Sequence, residues 1–140
     1  MREHSRALVL KDSKVLAIRR NNFGKVYTVL PGGEIEKGES AEEACVREVF
    51  EETSIRVKVS KKLFETIDQF GKTTYFLTEY LSGEPKLSPE SPEYQTNLKG
   101  LNTFMPIFLP IDSIDEEPFF EDSKKAINLS GIITKRKKEE

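Results

Sequence analysis

At 140 residues the chain has room for one domain with a real core and none for a second. Charged residues make up 33% yet leave a formal net charge of −2, which argues against a nucleic-acid or membrane surface and for a small-molecule partner. The single cysteine excludes an intrachain disulfide, no long apolar run could span a bilayer, and Met1-Arg-Glu-His-Ser5 lacks the apolar core of a signal peptide, so a cytoplasmic location is expected.

In chain order, Ala7-Leu-Val-Leu10 and Val15-Leu-Ala-Ile18 flank the polar cluster Lys11-Asp-Ser-Lys14 and predict a hairpin of two buried strands. His4, near the terminus, reads as a solvated residue rather than a base. Asn21-Asn-Phe-Gly24 suits a loop, and the β-branched run Val26 to Leu30 suits a strand delivering the chain to Pro31-Gly32-Gly33, where the glycines let backbone approach a ligand closely. A helix is expected from Ser40 to about Thr53, with Ser40 as a plausible N-cap. Ile55 to Val59 alternates with period two as the next strand. Leu63 to Phe70 and Thr73 to Leu81 flank Gly71-Lys72 and suggest a second hairpin.

Gly83 to Asn102 holds Pro85, Pro89 and Pro92 and is too long for a passive connection, which is the behaviour of functional loops. Phe104 to Leu109 reads as a strand whose Pro106 suits an edge or a bulge. Phe119 to Leu129 can close the domain as a terminal helix before Gly131. The expected organisation is one α/β domain over residues 1–132 and a charged, solvated tail over 133–140.

The helix carries the chemistry. At about 100° per residue, Ala44, Glu48, Glu51 and Glu52 fall in one sector, so three carboxylates converge on one face. Like charges this close repel unless a cation sits among them, and oxygen-only ligands point to Mg²⁺ or Mn²⁺. Val46, Val49, Phe50 and Thr53 project from the opposite side and are expected to pack on a sheet. A solvated acidic face would need no metal, because Glu is a good helix former. Arg47 can be an i, i+4 partner of Glu43 or Glu51, and Glu39 can serve the positive end of the helix.

Residues 33 to 55 together resemble the Nudix box: Gly33, five residues, Glu39, seven residues, Arg47-Glu48, an aliphatic residue and one more, Glu51-Glu52, one residue, then a glycine and an aliphatic residue. Ser54 stands where the family has its last glycine, a replacement costing about 1 kcal/mol if that position needs positive φ. The resemblance implies the Nudix fold, a mixed β-sheet sandwiched between α-helices. It also implies divalent-metal-dependent hydrolysis of a pyrophosphate bond in a nucleoside diphosphate linked to another moiety, with a catalytically idle nucleotide or ADP-ribose sensor as the alternative.

Carried onto matching positions, Glu48, Glu51 and Glu52 become metal ligands with the Gly32 carbonyl as a further one. Glu48 and Glu52 are the candidate bases, Arg47 and Glu39 complete the catalytic group, and the resemblance admits a homodimer. Further acids that could join are Glu79, Glu84, Glu90 and Glu93. Arg19 and Arg20 suit substrate phosphate as well as solvated surface. Phe23, Tyr27 and Tyr94 could stack on a base or fill the core, with Tyr94 in the loop expected to choose the substrate.

Overall fold

The computed structural model describes residues 2–86, 102–119 and 121–129. Strands β1 (Glu3–Lys11), β2 (Lys14–Asn22), β3 (Lys25–Val29) and β4 (Gly32–Glu34) precede helix α1 (Ala41–Thr53). After it come β5 (Arg56–Asp68), β6 (Gly71–Ser82), β7 (Asn102–Pro110), a 3₁₀ turn (Ile111–Glu116) and helix α2 (Glu121–Leu129). The Tyr94 loop position and the 133–140 tail lie outside the described residues.

The strands form one mixed sheet in the order β3-β2-β1-β6-β5, with β4 added to β1 and β7 to β2. β1 and β6 are parallel and in register from Glu3↔Lys72 to Leu10↔Glu79. The predicted hairpin exists but soon parts. Asp12 and Ser13 take positive φ in its turn, Leu10↔Val15 and Lys11↔Lys14 pair, and then β1 turns to β4 while β2 turns to β3. That divergence inserts Gly32-Gly33-Glu34 beside His4-Ser5-Arg6.

Two cores face opposite sides of the sheet, as alternation along each strand requires. Ala7, Val9, Leu16, Val57 and Phe76 pack with Cys45 and Val49 of α1. Leu8, Val15, Leu30 and Tyr75 pack with Ala126 and Ile127 of α2. The sheet is sandwiched between helices, as expected.

The rotation of α1 corrects the sequence reading. Val49 and Thr53 are buried, but Val46 and Phe50 lie at the rim, 37% and 38% exposed, with the Arg56 guanidinium 4.5 Å from the Phe50 ring centre. The buried stripe is centred on Cys45 and Val49 instead, and this rotation carries Glu52 inward. Two further differences have local causes. Residues 55 to 59 and 63 to 70 were read apart, but β5 is continuous because register shifts between Val59 and Lys61 and between Lys62 and Phe64 absorb the broken alternation. The hairpin turn falls on Gln69-Phe70, with Asp68 accepting from the Phe70 amide at 2.8 Å. Gly71 already pairs in β6, where an added Cβ would lie 2.1 Å from the Arg2 carbonyl. Pro106 meets its expectation: among the described strands β7 pairs with β2 alone, so Pro106 lies on an edge strand, where proline is tolerated.

Candidate active site

Helix α1 starts on a capping box: Ser40 Oγ accepts from the Glu43 amide at 3.0 Å and Glu43 accepts from the Ser40 amide at 3.1 Å. Glu43 is thereby committed to the cap, so of the two predicted partners of Arg47 only Glu51 is engaged. The Arg47 guanidinium reaches outward in three directions. It binds both oxygens of Glu39 at 2.7 and 3.0 Å, Glu48 at 2.9 Å and Glu51 at 3.2 Å, and the Glu34 carbonyl at 3.0 Å. Glu39 also accepts from the Glu36 amide at 3.0 Å, so it braces Arg47 and its own loop rather than the helix end. Its carboxyl is held below the usual range chiefly by the Arg47 hydrogen bond, and the same bond leads the causes that raise Arg47.

Glu52 is tied differently. It is 7% exposed and its Oε1 accepts from the Gly32 amide at 2.7 Å, which joins the helix to the Gly-Gly turn. Gly33 leaves the room this junction needs. A Cβ there would lie 2.4 Å from the Glu48 carboxyl carbon, so any side chain would push Glu48 off its present position.

The donor set fits a hard divalent cation by chemistry, since every candidate ligand is an oxygen. A carboxylate has about four acceptor sites, so one that holds an N–H can also bind a cation. In this conformation the acids are spread between Arg47 and Gly32, and among the described residues no three His, Cys, Asp or Glu side chains form a ready metal cage.

Other predicted residues lie elsewhere. Arg19 is paired with Glu117, which also accepts from Thr28 Oγ1 at 2.8 Å, and this pairing holds β2 and β3 to the segment before α2. Arg20 stacks 3.7 Å from the Phe104 ring centre and binds Asn102 at 2.9 Å. Tyr27 packs near it, 5.6 Å from the guanidinium, while Phe23 is exposed at a tip of positive φ. Glu79 is exposed and shares with Tyr75 and Leu77 the sheet face opposite α1. Glu84 is exposed after β6, and Glu90, Glu93 and Tyr94 lie outside the described residues.

A cleft was missed by sequence. His4 is half-buried in β1 rather than at a solvated end, and with Arg6, Asp68, Phe70, Tyr75 and Asp122 it lines a hollow of about 400 Å³. His4 and Arg6 reach it from β1, whose register pairs them with Glu34 and Gly32 of β4, and Tyr75 and Asp122 place it on the α2 side of the sheet. Its walls come from separate stretches of the chain around His4, Asp68 and Asp122, and no local pattern joins them.

This is an α/β fold that lays a Gly-Gly turn against a carboxylate-bearing helix. The NUDIX domain family model matches residues 1–127, and the chain belongs to that family. Its members generally need divalent metal ions. Over 93 residues the chain is 37% identical to the ADP-ribose pyrophosphatase of Methanocaldococcus jannaschii, covering 61% of this chain and 55% of that protein. Over 81 residues it is 38% identical to the NAD-capped RNA hydrolase NudC of Photorhabdus laumondii subsp. laumondii, covering 56% of this chain and 31% of that protein. The alignments thus span about half the length, or less, of these curated relatives. A NUDIX hydrolase from Nitrosomonas europaea superposes with a TM-score of 0.69 at 20% identity, over 92% of this chain and 87% of that one, a likeness of fold. No helix among the described residues is long and apolar enough to cross a membrane.

Proposed function

We propose that this chain hydrolyses a pyrophosphate bond in a nucleoside diphosphate linked to another moiety, using Mg²⁺ or Mn²⁺. The observation that carries the reading is the junction of α1 with the turn: Glu48 and Glu51 share Arg47 with Glu39, and Glu52 binds the Gly32 amide. Such a constellation fixes acids against a backbone turn able to approach a phosphate. The names of the two curated relatives agree with it, one acting on ADP-ribose and the other on NAD-capped RNA.

In this reading Glu48, Glu51, Glu52 and the Gly32 carbonyl hold the metal. When bound, the cation neutralises phosphate charge and lowers the pKa of water. Arg47 limits the freedom of Glu48 and Glu51, Glu39 orients Arg47, and Gly33 keeps the space that Glu48 occupies. Glu48 and Glu52 are the candidate proton acceptors, and the base is whichever one abolishes the acid limb of the pH–rate profile when changed to Gln. The hollow lined by His4 and Arg6 is assigned the part of the substrate beyond the pyrophosphate. There Phe70 offers a stacking face, Arg6 a cation, and Asp68 and Asp122 acceptors.

The test is hydrolysis of a panel containing ADP-ribose, NAD, NAD-capped RNA, nucleotide sugars, dinucleoside polyphosphates and NTPs, with Mg²⁺ or Mn²⁺ and with Glu52→Gln as control. Turnover of at least one substrate, reduced about 10²- to 10³-fold in the variant, is expected. Tight nucleotide binding by the wild type without turnover of any panel member would instead favour the sensor.

A further inference from the structure

Ser54 occupies the left-handed conformation at the end of α1, with φ 63° and ψ 14°, and its amide closes the helix on the Phe50 carbonyl at 2.8 Å. A glycine would meet that backbone requirement with less strain. What glycine lacks is the hydroxyl, and here the hydroxyl is used: Ser54 Oγ donates to the Lys86 carbonyl at 2.7 Å. The Lys86 amide in turn donates to the Thr53 carbonyl at 2.9 Å. Both backbone groups of Lys86 are therefore bound by the last two residues of the turn that ends α1.

The surrounding residues support this junction. An added Cβ on Gly83 would lie 2.5 Å from the Ser54 carbonyl, so the exit of β6 runs against the helix end at a distance that suits glycine. From the sheet side, Tyr80 donates its hydroxyl to the Gly83 carbonyl at 2.7 Å. Lys11 Nζ binds the Tyr80 hydroxyl at 3.2 Å and lies 4.4 Å from its ring centre.

We propose that Ser54 is a positioning residue whose hydroxyl bridge to Lys86 fixes the exit of β6 against the turn of α1 that carries Glu51 and Glu52. The bridge itself is independent of any activity. Only its catalytic consequence rests on the hydrolase reading. Losing the bridge loosens the end of α1, and the first property to change is the affinity of the acids for metal.

Amide hydrogen exchange on the metal-free protein, for wild type, Ser54→Gly and Ser54→Ala, tests the bridge. The Lys86 amide is expected to exchange about fivefold faster in both variants, with the ladder amides of β1 and β6 unchanged. Ser54→Gly removes the hydroxyl while favouring the left-handed backbone, so it reports even if Ser54→Ala fails to fold. Unchanged Lys86 exchange in Ser54→Gly, or equal acceleration throughout β1 and β6, overturns the proposal. In the hydrolysis assay, Ser54→Gly should raise the metal concentration for half-maximal rate about fivefold and alter kcat at saturating metal less than about twofold. A fall in kcat with no metal shift overturns the positioning role. If wild type turns over nothing, the hydrolase reading fails and the exchange result alone decides the bridge.

Discussion

Arg47 and Arg19 present the same guanidinium in two regions of the molecule and use it differently. Arg47 gathers Glu39, Glu48 and Glu51 around the turn that leads into the helix, so its pairing sets where candidate ligands stand. Arg19 meets one carboxylate, Glu117, which Thr28 also binds, so its pairing pins two strands to the segment before α2. The partners of Arg47 lie within thirteen positions of it along the chain, whereas Glu117 is 98 positions from Arg19. An arginine serving several carboxylates acts on a site, and an arginine with one distant partner acts on the scaffold.

Removing the hub should give the larger effect. Arg47→Ala frees three carboxylates to repel one another, and we expect turnover to fall about 10- to 100-fold, as for the loss of a residue that orients ligands. Stability should fall by about 2 kcal/mol, between the values for exposed and buried pairs. Denaturant unfolding and single-substrate kinetics on the same preparation separate the two. Full activity in a destabilised variant would erase the distinction from Arg19.

Arg19→Ala should cost about 1 kcal/mol, discounted because its side chain is partly exposed, with the loss confined to stability. A raised KM at unchanged kcat would return Arg19 to the substrate phosphate suggested by its sequence neighbourhood. The smallest effect concerns pH. Because Arg47 favours the ionised form of Glu39 in the folded chain, that stabilisation is complete above the unfolded pKa of about 4.3 and is lost as pH falls through the lower folded value. The difference in Tm between wild type and Glu39→Gln should therefore be widest near neutral pH and close below about pH 4. A constant difference from pH 3 to 7 would mean that Glu39 acts by packing rather than charge.

The same contrast explains what could be read from the chain. The helix, its cap and the register of Glu39, Arg47, Glu48, Glu51 and Glu52 are encoded within twenty residues, where period and spacing carry information. The left-handed Ser54 followed from its position, but its bond to Lys86 spans 32 residues and left no local trace. His4 in the cleft, Glu117 behind Arg19 and the 3₁₀ turn at Ile111–Glu116 depend on pairings formed only when the sheet assembles. The rotation of α1 was not legible because apolar Val46 and Phe50 point to a stripe that the fold leaves at the rim, while the smaller Cys45 is buried against the sheet.

Cys45 has a use of its own. Burial pushes its thiol pKa up to about 12, and it is the only cysteine in the chain, wedged between the acid-bearing helix and the sheet. A thiol reagent must wait for that contact to open before it can react. The labelling rate is therefore a clock for helix detachment, and any cation bound by the acids of that helix should slow it in proportion to its binding.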